Sequence, residues 1–101
     1  MDAAPASHAA GQRVDKWLFF ARLAKSRALA QKLIAAGAVR INGVKADAPA
    51  RPVRPGDALT LALARDVMVV RVLGLAERRG SATQARTLFE PVATSSDRPA
   101  T

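Results

Sequence analysis

Asn42-Gly43, set between Val39-Arg40-Ile41 and Val44-Lys45, constrains this chain more than any other local feature. Asn and Gly in succession tolerate the positive φ angles of a type I′ turn, whose twist matches that of two antiparallel strands. A two-residue turn also fixes register, so Ile41 faces Val44 and Arg40 faces Lys45. Like charges directly opposite each other destabilise a strand pair. The pairing is tolerable on a solvated edge and makes more sense where an anion lies across it.

Two helices are expected before this hairpin. Val14, Trp17, Leu18 and Ala21 follow the i, i+3, i+4, i+7 spacing of a buried stripe, which predicts a helix from Val14 to Leu23. Phe19 and Phe20 extend its apolar surface, so it should be covered on more than one side. Asp15 and Arg22, seven residues apart, fall on the opposite face. Ser26 reads as the N-cap of a second helix, Arg27 to Ala36, stopped by Gly37 in the C′ position. Ala30, Leu33, Ile34 and Gly37 give it a core-facing stripe.

After the hairpin, Pro49 to Asp57 reads as a connection ending in the turn Arg54-Pro55-Gly56-Asp57. Leu59, Leu61 and Leu63 alternate with small or polar residues, as a half-buried strand does. Arg65-Asp66 marks a further turn, and Val67 to Leu73 is β-prone enough to be the last main strand. Glu77-Arg78-Arg79-Gly80 is a polar loop before a short helical piece, Ala82 to Phe89, ended by Pro91. Residues 1–11 and 93–101 are small and polar and read as a disordered leader and tail, leaving one folded domain at 12–92. The order implies an α+β fold, with two N-terminal helices packed on a small, mostly antiparallel sheet and a short C-terminal helical extension.

Charge narrows the partner class. The chain of 101 residues carries a net +8, and ten basic residues between Arg13 and Arg54 face only Asp15 and Asp47. That stretch accounts for the whole excess, because six basic and six acidic residues cancel elsewhere. Concentrated positive charge favours a polyanion. The absence of cysteine excludes disulfides and thiolate zinc sites, and His8 stands alone in the leader. No metal or cofactor is expected. There is no Ser/His/Asp set, no carboxylate pair at hydrolytic spacing and no glycine-rich nucleotide loop, so catalysis is not expected either. No apolar run approaches the ~20 residues that span a membrane, and no secretory signal opens the sequence. A cytoplasmic protein is the default expectation.

Several spaced motifs agree with one known family. Arg13-Val14-Asp15-Lys16, Lys25-Ser26-Arg27, Ala30, Ile34, Gly37 and Val39-Arg40-Ile41-Asn42-Gly43 resemble the RNA-binding fold named after ribosomal small-subunit protein four, also called the αL motif. Val53-x-Pro55-Gly56-Asp57 fits as well, and the resemblance covers about Arg13 to Leu63. Trp17, with Val72-Leu73, Leu75, Arg78-Arg79-Gly80, Ala82, Ala85 and Leu88-Phe89-Glu90, is similar to the bacterial fifteen-kilodalton heat-shock protein family. That family binds free large ribosomal subunits carrying a stalled peptidyl-tRNA. The resemblance therefore implies ribosomal RNA as partner, with tRNA and the large subunit alongside it, in ribosome rescue or recycling under stress. A monomer is expected.

The residues themselves suggest where such an anion would bind. The start of the second helix offers free backbone N–H groups and a positive dipole end, flanked by Lys25, Ser26 and Arg27. Gln31, one turn beyond Arg27, shares its face. By resemblance the RNA face consists of Arg13, Lys16, Arg22, Lys25, Ser26, Arg27, Arg40, Asn42 and Lys45, with Gln31 extending it. Blander readings stand beside several of these. Arg22 and Asp15 are open between a surface ion pair and an RNA contact, and Asn42 is first a turn residue. Trp17, Phe19 and Phe20 are more readily core than stacking platforms, with Phe19 the exception to watch. Lys32 and Arg51 read as solvated charges, and so does the pair Arg78-Arg79. A helix-turn-helix DNA reader is an alternative, but the second helix leaves only Arg27, Gln31 and Lys32 to read bases, and RNA recognised by shape and phosphate fits better. A second alternative is a protein–protein adaptor whose basic face meets an acidic partner.

Overall fold

A computed structural model describes residues 11–63 and 66–96 of the chain. His8, most of the expected leader, Arg65 and the last five residues of the expected tail lie outside the described residues. Among the described residues no helix is long and apolar enough to cross a membrane.

The described residues open with β1 (Gln12–Arg13), α1 (Val14–Phe20) and α2 (Arg27–Ala35). The hairpin β2 (Val39–Ile41) and β3 (Val44–Lys45) follows, then β4 (Pro52–Val53), β5 (Ala58–Ala62) and β6 (Asp66–Val72). A short α3 (Ala82–Arg86) and a final strand, β7 (Phe89–Ser96), complete it. β1 and β4 form a two-stranded sheet; the main sheet has the order β3-β2-β5-β6-β7 and every pairing is antiparallel. This is the expected α+β architecture.

Local signals shape the elements that were foreseen. Asn42 at φ 52° and Gly43 at φ 84° make the turn, and Arg40 pairs with Lys45 and Ile41 with Val44, as the turn length requires. Ser26 Oγ accepts the Leu29 N–H at 3.0 Å, and Gly37 follows α2 at φ 78°. Val14, Trp17, Leu18 and Ala21 are all buried, and they join Ala30, Ile34, Val39, Leu59, Leu61, Val70 and Val72 in one core. Trp17 fastens this core to the C-terminal extension. Its indole N–H donates to the Gly74 carbonyl at 2.9 Å, and its ring meets Phe89 edge-on at 6.3 Å.

Other expectations fail for identifiable reasons. α1 stops at Phe20, not Leu23, because the Leu23 and Ala24 N–H groups both fold back to the Leu18 carbonyl and Arg22 adopts φ 61°. The Pro49–Asp57 connection contains β4, whose Pro52 and Val53 pair with Arg13 and Gln12. Val44, on the edge strand β3, is more than half exposed, and Leu63 lies just past the end of β5 and is partly exposed. α3 ends at Arg86, and Phe89 starts a strand instead of closing a helix. Pro91 then sits within β7, the outer strand of the sheet, where a missing N–H is tolerated. β7 carries the fold through Ser96, past the expected boundary at Val92.

Candidate nucleic-acid interface

The basic residues of the 13–54 stretch are distributed over β1, α1, α2, the β2–β3 hairpin and the segments between and after them, and a buried acid gathers two of them. Asp15, in the first turn of α1, has no exposed surface. Its Oδ1 accepts the Lys16 backbone N–H at 2.7 Å and Arg13 Nε at 3.0 Å. Oδ2 accepts Arg13 Nη2 at 3.1 Å, Arg27 Nη2 at 3.1 Å and Gln31 Nε2 at 2.9 Å. Burial by itself would raise the Asp15 pKa. The hydrogen bonds from Arg13, Gln31, Arg27 and the Lys16 N–H outweigh it and hold the carboxyl well below the usual carboxylate range. The carboxylate is therefore ionised and saturated, while the Arg13 and Arg27 side chains remain 45% and 40% exposed.

Arg27 and Gln31 reach Asp15 together because they stand one turn apart on α2. Arg13 reaches it because β1 runs directly into α1, with Arg13 itself at the N-cap position. Lys25 and Ser26 are exposed beside Arg27 at the start of α2. These residues form one cluster of cationic and hydrogen-bonding groups over a helix N-terminus, where backbone N–H groups and the dipole favour an anion.

Arg40 and Lys45 form a second cluster on the exposed side of the hairpin, paired across the strands as expected. Arg40 Nη1 lies 3.4 Å from the Gly43 carbonyl, and the Lys45 side chain rests on Gly37, at the C-terminal end of α2. Nine residues of α2 separate the two clusters, roughly 13 Å at about 1.5 Å per residue.

Two expected site residues point elsewhere. Arg22 does not pair with Asp15: its Nε and Nη2 donate to the Gly80 carbonyl at 3.2 and 2.9 Å. The early end of α1 swings Arg22 out of the helical face it was assigned, toward the extension. Asn42 uses both ends of its amide within the fold. Nδ2 donates to Asp57 Oδ1 at 3.1 Å and Oδ1 accepts the Ala58 N–H at 2.9 Å, tying the hairpin turn to the start of β5.

Sequence reasoning missed two features. It placed Asp15 on a solvated face, although an acid amid ten basic residues, with Arg27 and Gln31 on one helix face, was a usable signal. It also read Arg79 as solvated, whereas its guanidinium lies 4.5 Å from the Phe19 ring centroid in cation–π contact. A cleft of about 450 Å³ between α1 and the extension is lined by Phe20, Glu77, Arg78, Gln84 and Leu88, away from the Asp15 cluster. Among the described residues no group of three or more His, Cys, Asp or Glu side chains is placed to hold a metal.

The chain is similar to several known proteins. The S4 domain model matches residues 12–59. Heat shock protein 15 of Escherichia coli (strain K12) is 40% identical over 83 residues, which is 82% of this chain and 62% of that protein. The chain thus spans less than two thirds of the length of that relative. The RQC P-site tRNA stabilizing factor of Bacillus subtilis (strain 168) is 40% identical over 60 residues, 59% of this chain and 69% of that protein. Among solved structures, heat shock protein 15 of Vibrio cholerae, described as trimeric, superposes with a TM-score of 0.76 at 32% identity, covering 82% of this chain and 83% of its own.

Proposed function

The chain belongs to the heat shock protein 15 family and carries its S4 domain, and from that premise we propose that it binds structured RNA through the Arg13–Lys45 face. The target is ribosomal RNA of the large subunit, in stalled or dissociated subunits carrying peptidyl-tRNA, and the role is rescue or recycling under stress. One observation carries the reading. Arg13 of β1 and Arg27 and Gln31 of α2 converge on one buried carboxylate beside a Ser26-capped helix start, within the stretch that holds the entire net charge. Guanidinium forks and exposed helix N–H groups match phosphate oxygens. The tRNA part is supported by the Bacillus subtilis relative, whose name places it at P-site tRNA.

Occupancy, not chemistry, is the mode of action in this reading. Arg13, Lys16, Lys25, Ser26, Arg27 and Gln31 hold the backbone of one RNA segment, and Arg40 and Lys45 take a neighbouring phosphate beyond the far end of α2. The chain works as a monomer. Its outer strand β7 carries Glu90 and Pro91, a charge and a missing N–H that discourage pairing with a second copy.

Cosedimentation with ribosomal particles from stressed cells tests the proposal. The tagged protein is expected with free large subunits at low salt and to leave them on nuclease treatment. Retention of protein partners after complete RNA digestion would instead favour an adaptor that meets an acidic protein.

A further inference from the structure

The position of Asp15 poses a problem of sign. A carboxylate within an RNA-binding face weakens the long-range attraction that the surrounding cations provide. As a stabilising device it is also a poor choice, because a buried ion pair is close to break-even against an apolar replacement of similar volume. It has no bonding capacity left for a ligand, since both oxygens are already filled by protein donors. Its effect must be on the groups that bond to it.

Those groups are two half-exposed arginines and a glutamine. Arg13 binds Asp15 through Nε and Nη2, and Arg27 binds it through Nη2. Among the described residues the Nη1 group of neither arginine bonds to protein. Left alone, two guanidiniums would repel each other and sample many rotamers, and ordering them on contact with RNA would cost affinity. The carboxylate between them removes both penalties before RNA arrives. It holds both planar forks on one carboxylate oxygen, Oδ2, with Arg27 rooted in the first turn of α2.

We propose that Asp15 is the positioning residue of this face, holding Arg13 and Arg27 side by side so that their Nη1 groups clamp one phosphodiester of bound RNA. The clamp rests on the RNA-binding reading above and adds the ligand group and the residue that prepares its site.

Asp15→Asn gives the decisive contrast, because charge counting and positioning predict opposite signs. The substitution is nearly isosteric and raises the net charge by one unit. Charge alone predicts tighter RNA binding with steeper salt dependence. An asparagine amide offers one acceptor oxygen, and its NH2 turns a donor toward the guanidiniums, so the clamp loses its centre. The expected result is about tenfold weaker binding to isolated large ribosomal subunits and to a plain RNA duplex, with a salt slope no steeper than wild type. Arg27→Lys serves as a second variant that keeps both the charge and Asp15. An ammonium cannot reproduce the planar fork, and about fivefold weaker binding at unchanged salt slope is expected. A folded Asp15→Asn protein that binds as tightly as wild type or more so overturns the clamp. Wild-type affinity in Arg27→Lys does the same, even where Asp15→Asn fails to fold. Wild-type protein that binds neither probe overturns the RNA-binding reading itself, and the clamp with it.

Discussion

Asp15 ties stability to pH as well as to geometry. Its folded pKa lies below the unfolded value near 3.9, so its contribution is fully present above that range and is lost as pH falls through the folded value. Asp15→Asn should lower stability at neutral pH by about 1–3 kcal/mol, the cost of disturbing a buried hydrogen-bonded group. It should also flatten the loss of stability below about pH 4, where the unfolded chain takes up a proton that the folded carboxylate does not. Urea unfolding over a pH series checks both, and an acid limb identical to wild type would refute the assignment. The residue was misread in the sequence for a physical reason. A helical wheel knows only positions along one helix, and it set Asp15 beside Arg22 on a solvated face. α1 ends too early for that face to exist, and α2 covers Asp15 with residues twelve and sixteen positions away.

Elements whose ends are fixed by local chemistry were legible, and those fixed by distant pairing were not. The Asn42-Gly43 turn, the Ser26 cap and the Gly37 stop each depend on a few neighbouring residues, and all three are where the sequence places them. The β1–β4 pair joins Gln12 to Val53 and Arg13 to Pro52, far apart in sequence, through two-residue strands too short to show any alternation. β7 was missed because Pro91 argues against a strand unless that strand is known to be at the edge. Gly37 offers a test at this scale. At φ 78° an alanine meets left-handed strain of roughly 1–2 kcal/mol, and its Cβ would lie 2.9 Å from Lys45 Cε, so the lysine must move. Gly37→Ala should therefore lower the denaturation midpoint and also weaken RNA binding through displaced Lys45. Ser26→Ala should cost about 1 kcal/mol of stability as a lost cap. A Gly37→Ala protein as stable as wild type would show that Gly37 does not need its left-handed geometry.

At the scale of the molecule, the charge pattern was the most informative part of the sequence. It puts the whole charge excess within Arg13 to Arg54, and the structure gathers residues of that stretch into an Asp15-centred cluster and a hairpin cluster at opposite ends of α2. It could not show that Arg22 turns toward Gly80 or that Asn42 is occupied by Asp57 and Ala58, because both depend on where the extension and β5 come to lie. The central claim is that this face neutralises several RNA phosphates at once. Affinity for isolated large ribosomal subunits, measured across a salt series for wild type and Lys25→Ala/Arg27→Ala, tests it most directly. Removing Arg27 takes one donor from Asp15, so the variant's fold is checked by thermal melting alongside. The account predicts a linear fall of log affinity with log salt for wild type. It predicts a loss in the double variant on the order of ten- to a hundredfold, with a slope shallower by about one to two. Affinity that ignores salt, or a folded double variant indistinguishable from wild type, would contradict it.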